Sequence, residues 1–248
     1  MSRRAYEVLQ SVDTVVGYTT YIDLIRPLVQ DKKIVSTPMQ KEMQRVEAAL
    51  EIALEEGSCA VVSSGDPGIY AMAGLALEMC NTRRIPVIPA ARTPENPPDA
   101  SALVLEVIPG IPALCSGASL LGAPLSHDFA VISLSDLLTP WDVIEQRIEA
   151  AARADFVIVF YNPKSKRRTR HLETAQKIIL NYRDKNTPVG IVTRIAREGQ
   201  TVRIVPLEHL DRAPVDMQTT VFVGSSSSAV YMDFMITPRG YMGKYGPE

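Results

Sequence analysis

Cys59-Ala60-Val61-Val62-Ser63, then Ser64-Gly65-Asp66-Pro67-Gly68, then Ile69 to Cys80 is the stretch that decides how this chain is read. Its first five residues predict a strand apolar enough to be buried on both faces, as central parallel strands are. Glycine and proline end that strand, and helical character resumes at Ile69. Upstream, Met39 to Glu56 predicts a helix, because Met43, Val46, Leu50 and Leu54 recur at three- and four-residue spacing with charges between them. Gly57 stands just past its end, where a left-handed cap is wanted. Asp13 to Gly17 predicts an earlier strand, Thr20 to Val29 a short helix and Ile34 to Ser36 a brief strand.

Downstream the alternation continues. Leu103 to Ile108 predicts a strand broken by Pro109-Gly110, and a second series of elements follows. Phe129 to Leu134, Phe156 to Tyr161, Val189 to Thr193, Val202 to Pro206 and Thr220 to Gly224 read as strands. Trp141 to Ala152, with Val143, Ile144, Arg147 and Ile148 on one side, and Leu172 to Tyr182 read as helices. This is the pattern of an α/β fold. The expected organisation is two α/β domains, residues 1–108 and 109–248. Pro86 to Asp99, with five prolines, is expected to be an exposed loop without chemistry.

Composition narrows the function classes. The 248 residues are 46% hydrophobic and 22% charged, with mean hydropathy +0.03, as in a soluble globular protein. Twenty-six Lys and Arg against 28 Asp and Glu leave a formal charge of -2, which argues against a general nucleic-acid binder. Cys59, Cys80 and Cys115 have no C-x-x-C spacing, and His127, His171 and His209 lie far apart with no H-E-x-x-H. No metal site is expected, and reduced thiols point to a cytoplasmic location. The uncharged run from Val107 to Ser126 has membrane length, but three prolines and three glycines make it a poor spanning helix. No secretion signal follows Arg3-Arg4, so neither membrane nor export is expected.

Ligands of α/β sheets sit outside the carboxyl ends of the strands. That rule selects four loops: Ser63 to Tyr70, Pro109 to Gly117, Tyr161 to Thr169 and Thr193 to Glu198. Gly65-Asp66-Pro67-Gly68 is either a site of close backbone approach to a ligand or a simple turn. The small residues Ser116, Gly117, Ala118 and Ser119 either admit a ligand or permit close helix packing. The basic run Lys164 to His171 is either a solvated face or a contact for a small polyanion. His127 is either an acid–base group or a structurally satisfied histidine. Neither G-x-G-x-x-G nor G-x-x-x-x-G-K-[ST] occurs.

Taken together, these segments carry a resemblance. Val15-Val16-Gly17-Tyr18 with Tyr21-Ile22-Asp23-Leu24-Ile25, the Gly65-Asp66-Pro67-Gly68-Ile69-Tyr70 loop and Pro109-Gly110-Ile111 resemble the tetrapyrrole (corrin/porphyrin) methylases, the class III S-adenosylmethionine-dependent methyltransferases. Leu121 to Phe129, Ile132 to Trp141, Phe160 to Lys166 and Thr237 to Tyr241 are similar to one branch of that family, the precorrin-3B C(17)-methyltransferases of cobalamin synthesis. The likeness runs from about Arg4 to Tyr245.

The resemblance implies an active-site cleft between the two domains, a homodimer, and S-adenosyl-L-methionine as cofactor. Carried over by position, the cofactor would touch Ser64, Gly65, Asp66, Ile69, Tyr70, Pro112, Ala113, Tyr161, Asn162, Ile195 and Ala196. The carboxylates of a precorrin would meet Lys164, Lys166, Arg167 and Arg168. Methyl transfer would fall on C-17 of precorrin-3B or cobalt-precorrin-3 with ring contraction, assisted by His127 and Asp136. Family members begin with a strand and a G-x-G-P-G loop, whereas Met1 to Ala5 resembles the segment after that loop. The first strand and its turn, roughly 20 residues, are therefore expected to be missing through a misplaced start, with a cost to cofactor affinity.

Overall fold

The computed structural model describes residues 1–55, 57–92 and 102–246, in two compact units, Met1–Pro112 and Ala113–Glu248. The first unit opens with a helix that the strand-seeking reading of the sequence passes over. In α1 (Arg3–Ser11) the Ser2 hydroxyl accepts from the Ala5 amide at 3.3 Å, satisfying a helix-start donor that would otherwise be orphaned. Next come β1 (Thr14–Tyr18), α2 (Thr19–Ile25) closing in a 3-10 turn, β2 (Lys33–Thr37), α3 (Glu42–Glu55) and β3 (Cys59–Val62). Then follow α4 (Met72–Thr82), β4 (Val87–Pro89) and β5 (Leu103–Leu105).

Strands β2, β1 and β3 form a parallel sheet in that order, with Val15 opposite Ile34 and Val16 opposite Val61. Here the structure corrects the expectation. β1 is the central strand, with Val15 and Val16 both fully buried, whereas Cys59 to Val62 is an edge of the described sheet and only half-buried. Leu9, Val12, Val15, Ile22 and Val29 pack as one cluster, and Val46, Leu50, Met79 and Cys80 as another. The stripe of α3 is Val46, Ala49 and Leu50, while Met43 and Leu54 stay exposed at its two ends. Gly57 has the expected left-handed conformation, φ +118°; Glu56 lies outside the described residues. So do residues 93–101, which take in the second half of the proline-rich segment expected to be a loop. Its opening is not loop, since β4 pairs in parallel with β5.

The second unit begins with α5 (Ala113–Leu121) and the two-residue β6 (Gly122–Ala123). β7 (Phe129–Ser133), α6 (Trp141–Arg153), β8 (Val157–Tyr161), α7 (His171–Leu180), β9 (Pro188–Thr193), β10 (Thr201–Pro206) and β11 (Thr219–Val223) follow. The chain ends with β12 (Ala229–Tyr231), β13 (Phe234–Ile236) and α8 (Tyr241–Tyr245). The main sheet has the order β10-β9-β11-β8-β7. β7 and β8 are parallel, and β11 is antiparallel to both β8 and β9, so β7, β8 and β9 share one direction.

The apolar run in β8 has a direct cause: Val157, Ile158, Val159 and Phe160 are all fully buried. Ile158 and Phe160 join Ile144 and Ile148 of α6 and Ile179 of α7 in one core. Against the opposite face lies α5. A Cβ on Gly117 would come within 2.6 Å of the Phe222 ring, and one on Gly190 within 2.4 Å of Leu121. The small residue at 117 therefore serves close packing of helix on sheet, one of the two readings open from the sequence.

Candidate functional site

In the first unit the loop after β3 is shaped by one carboxylate. Asp66 Oδ1 accepts from the Gly68 amide at 2.8 Å, and Oδ2 accepts from the Gly110 amide at 3.0 Å. The side chain thus joins Gly65–Gly68 to Pro109–Gly110. How close the two backbones run is shown at Gly110, where an added Cβ would lie 1.9 Å from the Gly65 carbonyl oxygen. Gly65 takes φ +78°, and Tyr70, 56% exposed, takes φ +51°. Ser64, Gly65 and Gly68 are exposed, Ile69 half-buried.

Helix α1 braces the same loop. The Ser2 hydroxyl donates to the Pro109 carbonyl at 2.9 Å, and Arg4 pairs with Glu106 at 2.6 Å. The hydrogen bond from Arg4 pulls the Glu106 carboxyl below its ordinary value although partial burial opposes it. Sequence reasoning missed Ser2 and Arg4 as parts of this loop's frame. Ser2 ahead of an i,i+4 Arg3–Glu7 pair was the available signal of a helix start.

In the second unit the predicted positions gather along the edge where β7, β8 and β9 end. Ala113 opens α5, and the Leu114 amide donates to the Tyr161 hydroxyl at 2.8 Å. Asn162, at φ +51°, donates from Nδ2 to Ser133 Oγ at 3.0 Å. Beyond β9, Arg194 and Ala196 both take positive φ, and the Ala196 amide donates to Gln200 Oε1 at 2.7 Å. Thr193 Oγ1 and Thr219 Oγ1 lie 2.9 Å apart, tying the end of β9 to the start of β11. Ile195 is half-buried.

The basic run divides. Arg168 Nη1 donates to the carbonyls of Leu134 at 2.7 Å and Asn162 at 3.1 Å, and Arg168 Nε stands 3.8 Å from Asp136. Its fork holds the loop after β7 to the loop after β8, and its side chain is 13% exposed. Lys166 and Arg167 are exposed and Lys164 half-buried. Asp136 also meets His171, Nε2 to Oδ2 at 3.0 Å, and the His171 ring stacks edgewise on Trp141 with centroids 4.1 Å apart. Burial works to raise the Asp136 carboxyl. The His171 hydrogen bond, a backbone amide and the charges of His171 and Arg168 outweigh it and hold the group below its ordinary value. Nothing in the sequence indicates that His171, which stands at the end of the charge run, faces Asp136.

His127 and Asp136 are not brought together. His127 precedes β7 and Asp136 follows it, so the five residues of the strand, at about 3.3 Å each, put them on the order of 16 Å apart at opposite ends. His127 Nδ1 accepts from the Asp128 amide at 2.8 Å, and the ring lines a hollow of about 390 Å³ with Leu125, Ser126, Asp128 and Arg239. At that same amino end Asp155 accepts from the Ser226 amide and hydroxyl and pairs with Arg183 at 2.9 Å. A wider hollow of about 730 Å³, lined by Leu120, Val202, Arg203, Val230, Met232 and Phe234 among others, contains none of the predicted site residues. Among the described residues no cluster of three or more His, Cys, Asp or Glu is placed to hold a metal ion, and no helix is long and apolar enough to cross a membrane.

Comparison with known proteins bears on the family and the fold. The profile of the Tetrapyrrole (Corrin/Porphyrin) Methylases matches residues 1–211. The chain is 48% identical over 245 residues to the cobalt-factor III methyltransferase of Priestia megaterium, covering 99% of this chain and 43% of that protein. It is 44% identical over 241 residues to the probable cobalt-factor III C(17)-methyltransferase of Salmonella typhimurium, covering 97% of this chain and 93% of that one. Among solved structures, the methyltransferase CobJ superposes with a TM-score of 0.83 at 30% identity, over 96% of this chain and 93% of the other. A uroporphyrin-III C-methyltransferase of Thermus thermophilus complexed with S-adenosyl homocysteine shares the fold at a TM-score of 0.65 and 17% identity. With a family profile spanning most of its length and a near-complete match to a structure of the same fold, the chain belongs to the tetrapyrrole (corrin/porphyrin) methylases.

Proposed function

We propose that this protein transfers the methyl group of S-adenosyl-L-methionine to C-17 of a precorrin-3-type macrocycle, with contraction of the ring, in cobalamin synthesis. One observation carries the reading. Each of the loops holding candidate cofactor positions after β3, β8 and β9 contains a non-glycine residue held at positive φ: Tyr70, Asn162 and Ala196. Such backbone costs on the order of 1–2 kcal/mol per residue outside glycine, and it concentrates at ligand-shaping sites. The names of the Priestia and Salmonella relatives favour the cobalt-bearing form of the substrate.

The residues present suit the methyl donor. A sulfonium, a carboxylate and an adenine in one small molecule call for backbone groups and aromatic surface more than for one charged clamp. The first unit offers exposed Ser64, Gly65 and Tyr70 on a loop braced by Asp66, with Ile69 and Pro112 half-buried. The second offers Ala113, Tyr161, Asn162, Ile195 and Ala196. When bound, the donor supplies a methyl whose bond to sulfur breaks as the bond to carbon forms, sulfur keeping the electron pair. Holding the acceptor carbon in line is the protein's main contribution.

Asp136 is ionised, fixed by His171 and partly open to solvent, so it is placed to accept or stabilise a proton during contraction. Lys164, Lys166 and Arg167 meet the substrate's carboxylates, and Arg168 positions the loops around them. A homodimer in the cytoplasm completes the reading, and sedimentation velocity tests the dimer. The activity is tested by incubating the protein with S-adenosylmethionine and cobalt-factor III and following the product by mass spectrometry. Formation of S-adenosylhomocysteine with a methyl at C-17 is expected. Methylation at another ring carbon, or none, overturns the proposal.

A further inference from the structure

Leu137 and Leu138, at the tip of the loop after β7, are 78% and 92% exposed. One exposed leucine asks for no explanation, because much of any protein surface is apolar. This adjacent pair is distinguished by how firmly it is presented. Before it, Leu134 is fully buried, its amide donating to the Tyr161 carbonyl at 2.9 Å and its own carbonyl accepting from Arg168. The Ser135 amide donates to Ser133 Oγ at 3.2 Å, and Asp136 is held by His171. After it, Trp141 opens α6 with its ring against His171 and its Nε1 donating to Glu145 at 2.7 Å. Both ends of the loop are therefore pinned, and its two most apolar side chains are left facing water.

The segment that pins them, Asn162 to His171, also carries Lys164, Lys166 and Arg167. The loop with the apolar tip and the loop with the cations are thus tied together by Arg168 and His171 at one edge of the sheet. We propose that Leu137 and Leu138 form the contact for the flat apolar face of a carboxylate-rimmed macrocycle, while Lys164, Lys166 and Arg167 meet its rim. The inference rests on the tetrapyrrole reading above and adds to it the residues that recognise the ring itself. Charge and shape favour this occupant. A small anion would use the cations and leave the leucines wet, and two leucines fall far short of the roughly 800 Å² per partner that a stable protein interface needs. Burying leucine side chains against an apolar surface is favourable, so a ring laid across two of them gains affinity.

The test compares the double variant Leu137→Ser/Leu138→Ser with Leu137→Met/Leu138→Met and the unaltered protein. Uroporphyrin III, a carboxylated macrocycle, serves as a fluorescent binding probe. The serine pair is expected to weaken probe binding about tenfold or more, the equivalent of 1.4 kcal/mol, and to raise KM for cobalt-factor III. The melting temperature and S-adenosylmethionine affinity are expected to stay put, and the methionine pair to bind as the unaltered protein does. Unchanged probe affinity and KM in the serine variant overturn the inference while leaving the methylase reading intact. So does loss of self-association at unchanged affinity, which would make the tip a contact between copies. If the unaltered protein neither binds the probe nor turns over cobalt-factor III, the tetrapyrrole reading itself has failed.

Discussion

The loop of the first unit and the sheet edge of the second are held in shape by different materials. Around Gly65–Gly68 the structure is backbone against backbone. One carboxylate, Asp66, spans two amides, and Gly110 runs so close that no side chain fits. Along the ends of β7 and β8 the frame is made of side chains: Arg168 across two carbonyls, His171 on Asp136, Asn162 on Ser133. A backbone frame tolerates almost no substitution at its closest point but presents little charge. A side-chain frame tolerates partial loss and brings charge with it. The first suits a small ligand recognised by shape, the second a large anionic one.

Four experiments break or sharpen that contrast. The largest effect is expected at the charged edge: Asp136→Asn should lower turnover by about a hundredfold or more, within the range general acid–base groups contribute. His127→Ala, at the far end of β7, should leave turnover close to that of the unaltered enzyme, with S-adenosylmethionine affinity intact in both. The reverse pattern would move the proton chemistry to the amino end of the strand. Next, Gly110→Ala should abolish measurable S-adenosylmethionine binding in calorimetry and lower the unfolding free energy in urea by about 1–3 kcal/mol, the usual range for overpacking. Normal cofactor affinity in that variant would show that the loop contact is incidental.

Asp66→Asn replaces one of two acceptors with a donor facing an amide, and it should cost about 1–3 kcal/mol in chemical denaturation. Its cofactor affinity should fall less than that of Gly110→Ala. The smallest effect concerns acid. The Asp136 carboxyl is held below its ordinary 3.8, so its stabilising contribution is complete above that value and is lost as pH falls through the lower folded one. The group is more than a third exposed, so solvent screening limits the loss to under about 1 kcal/mol. Stability measured from pH 5 to pH 2 should fall less steeply in Asp136→Asn, and identical slopes would mean that its bonds to His171 and Arg168 add nothing.

Much of this was legible in the chain, and what was not has identifiable causes. β8 and α3 announce themselves because burial of Val157 to Phe160 and of Val46, Ala49 and Leu50 leaves a periodicity to read. Four apolar residues in β3 carried the same signature as a central strand, yet apolar content alone does not say how many neighbours a strand has. Helix α1 was overlooked because its outward face is charged and its burial rests mainly on Leu9. β12 and β13 are too short, and too exposed at Val230, Tyr231 and Phe234, to show alternation. In the site, the strand-end rule picked out loops that do leave the carboxyl ends of strands, at β3, β8 and β9. It did not reveal that Arg168 is committed to carbonyls or that His171 faces Asp136, since such pairings depend on which loops the topology makes neighbours.

The reversed strand β11 has a consequence of its own. Because it lies between β8 and β9, the loops leaving those two strands stand two strand spacings apart, roughly 9–10 Å, where adjacent parallel strands would set them near 4.8 Å. That opening is dictated by the hydrogen-bond ladder, so trimming or enlarging surrounding residues leaves its width unchanged. Variants that alter which molecule is accepted should therefore be sought in the loops on either bank, and a library directed at the sheet itself would spend its diversity on stability.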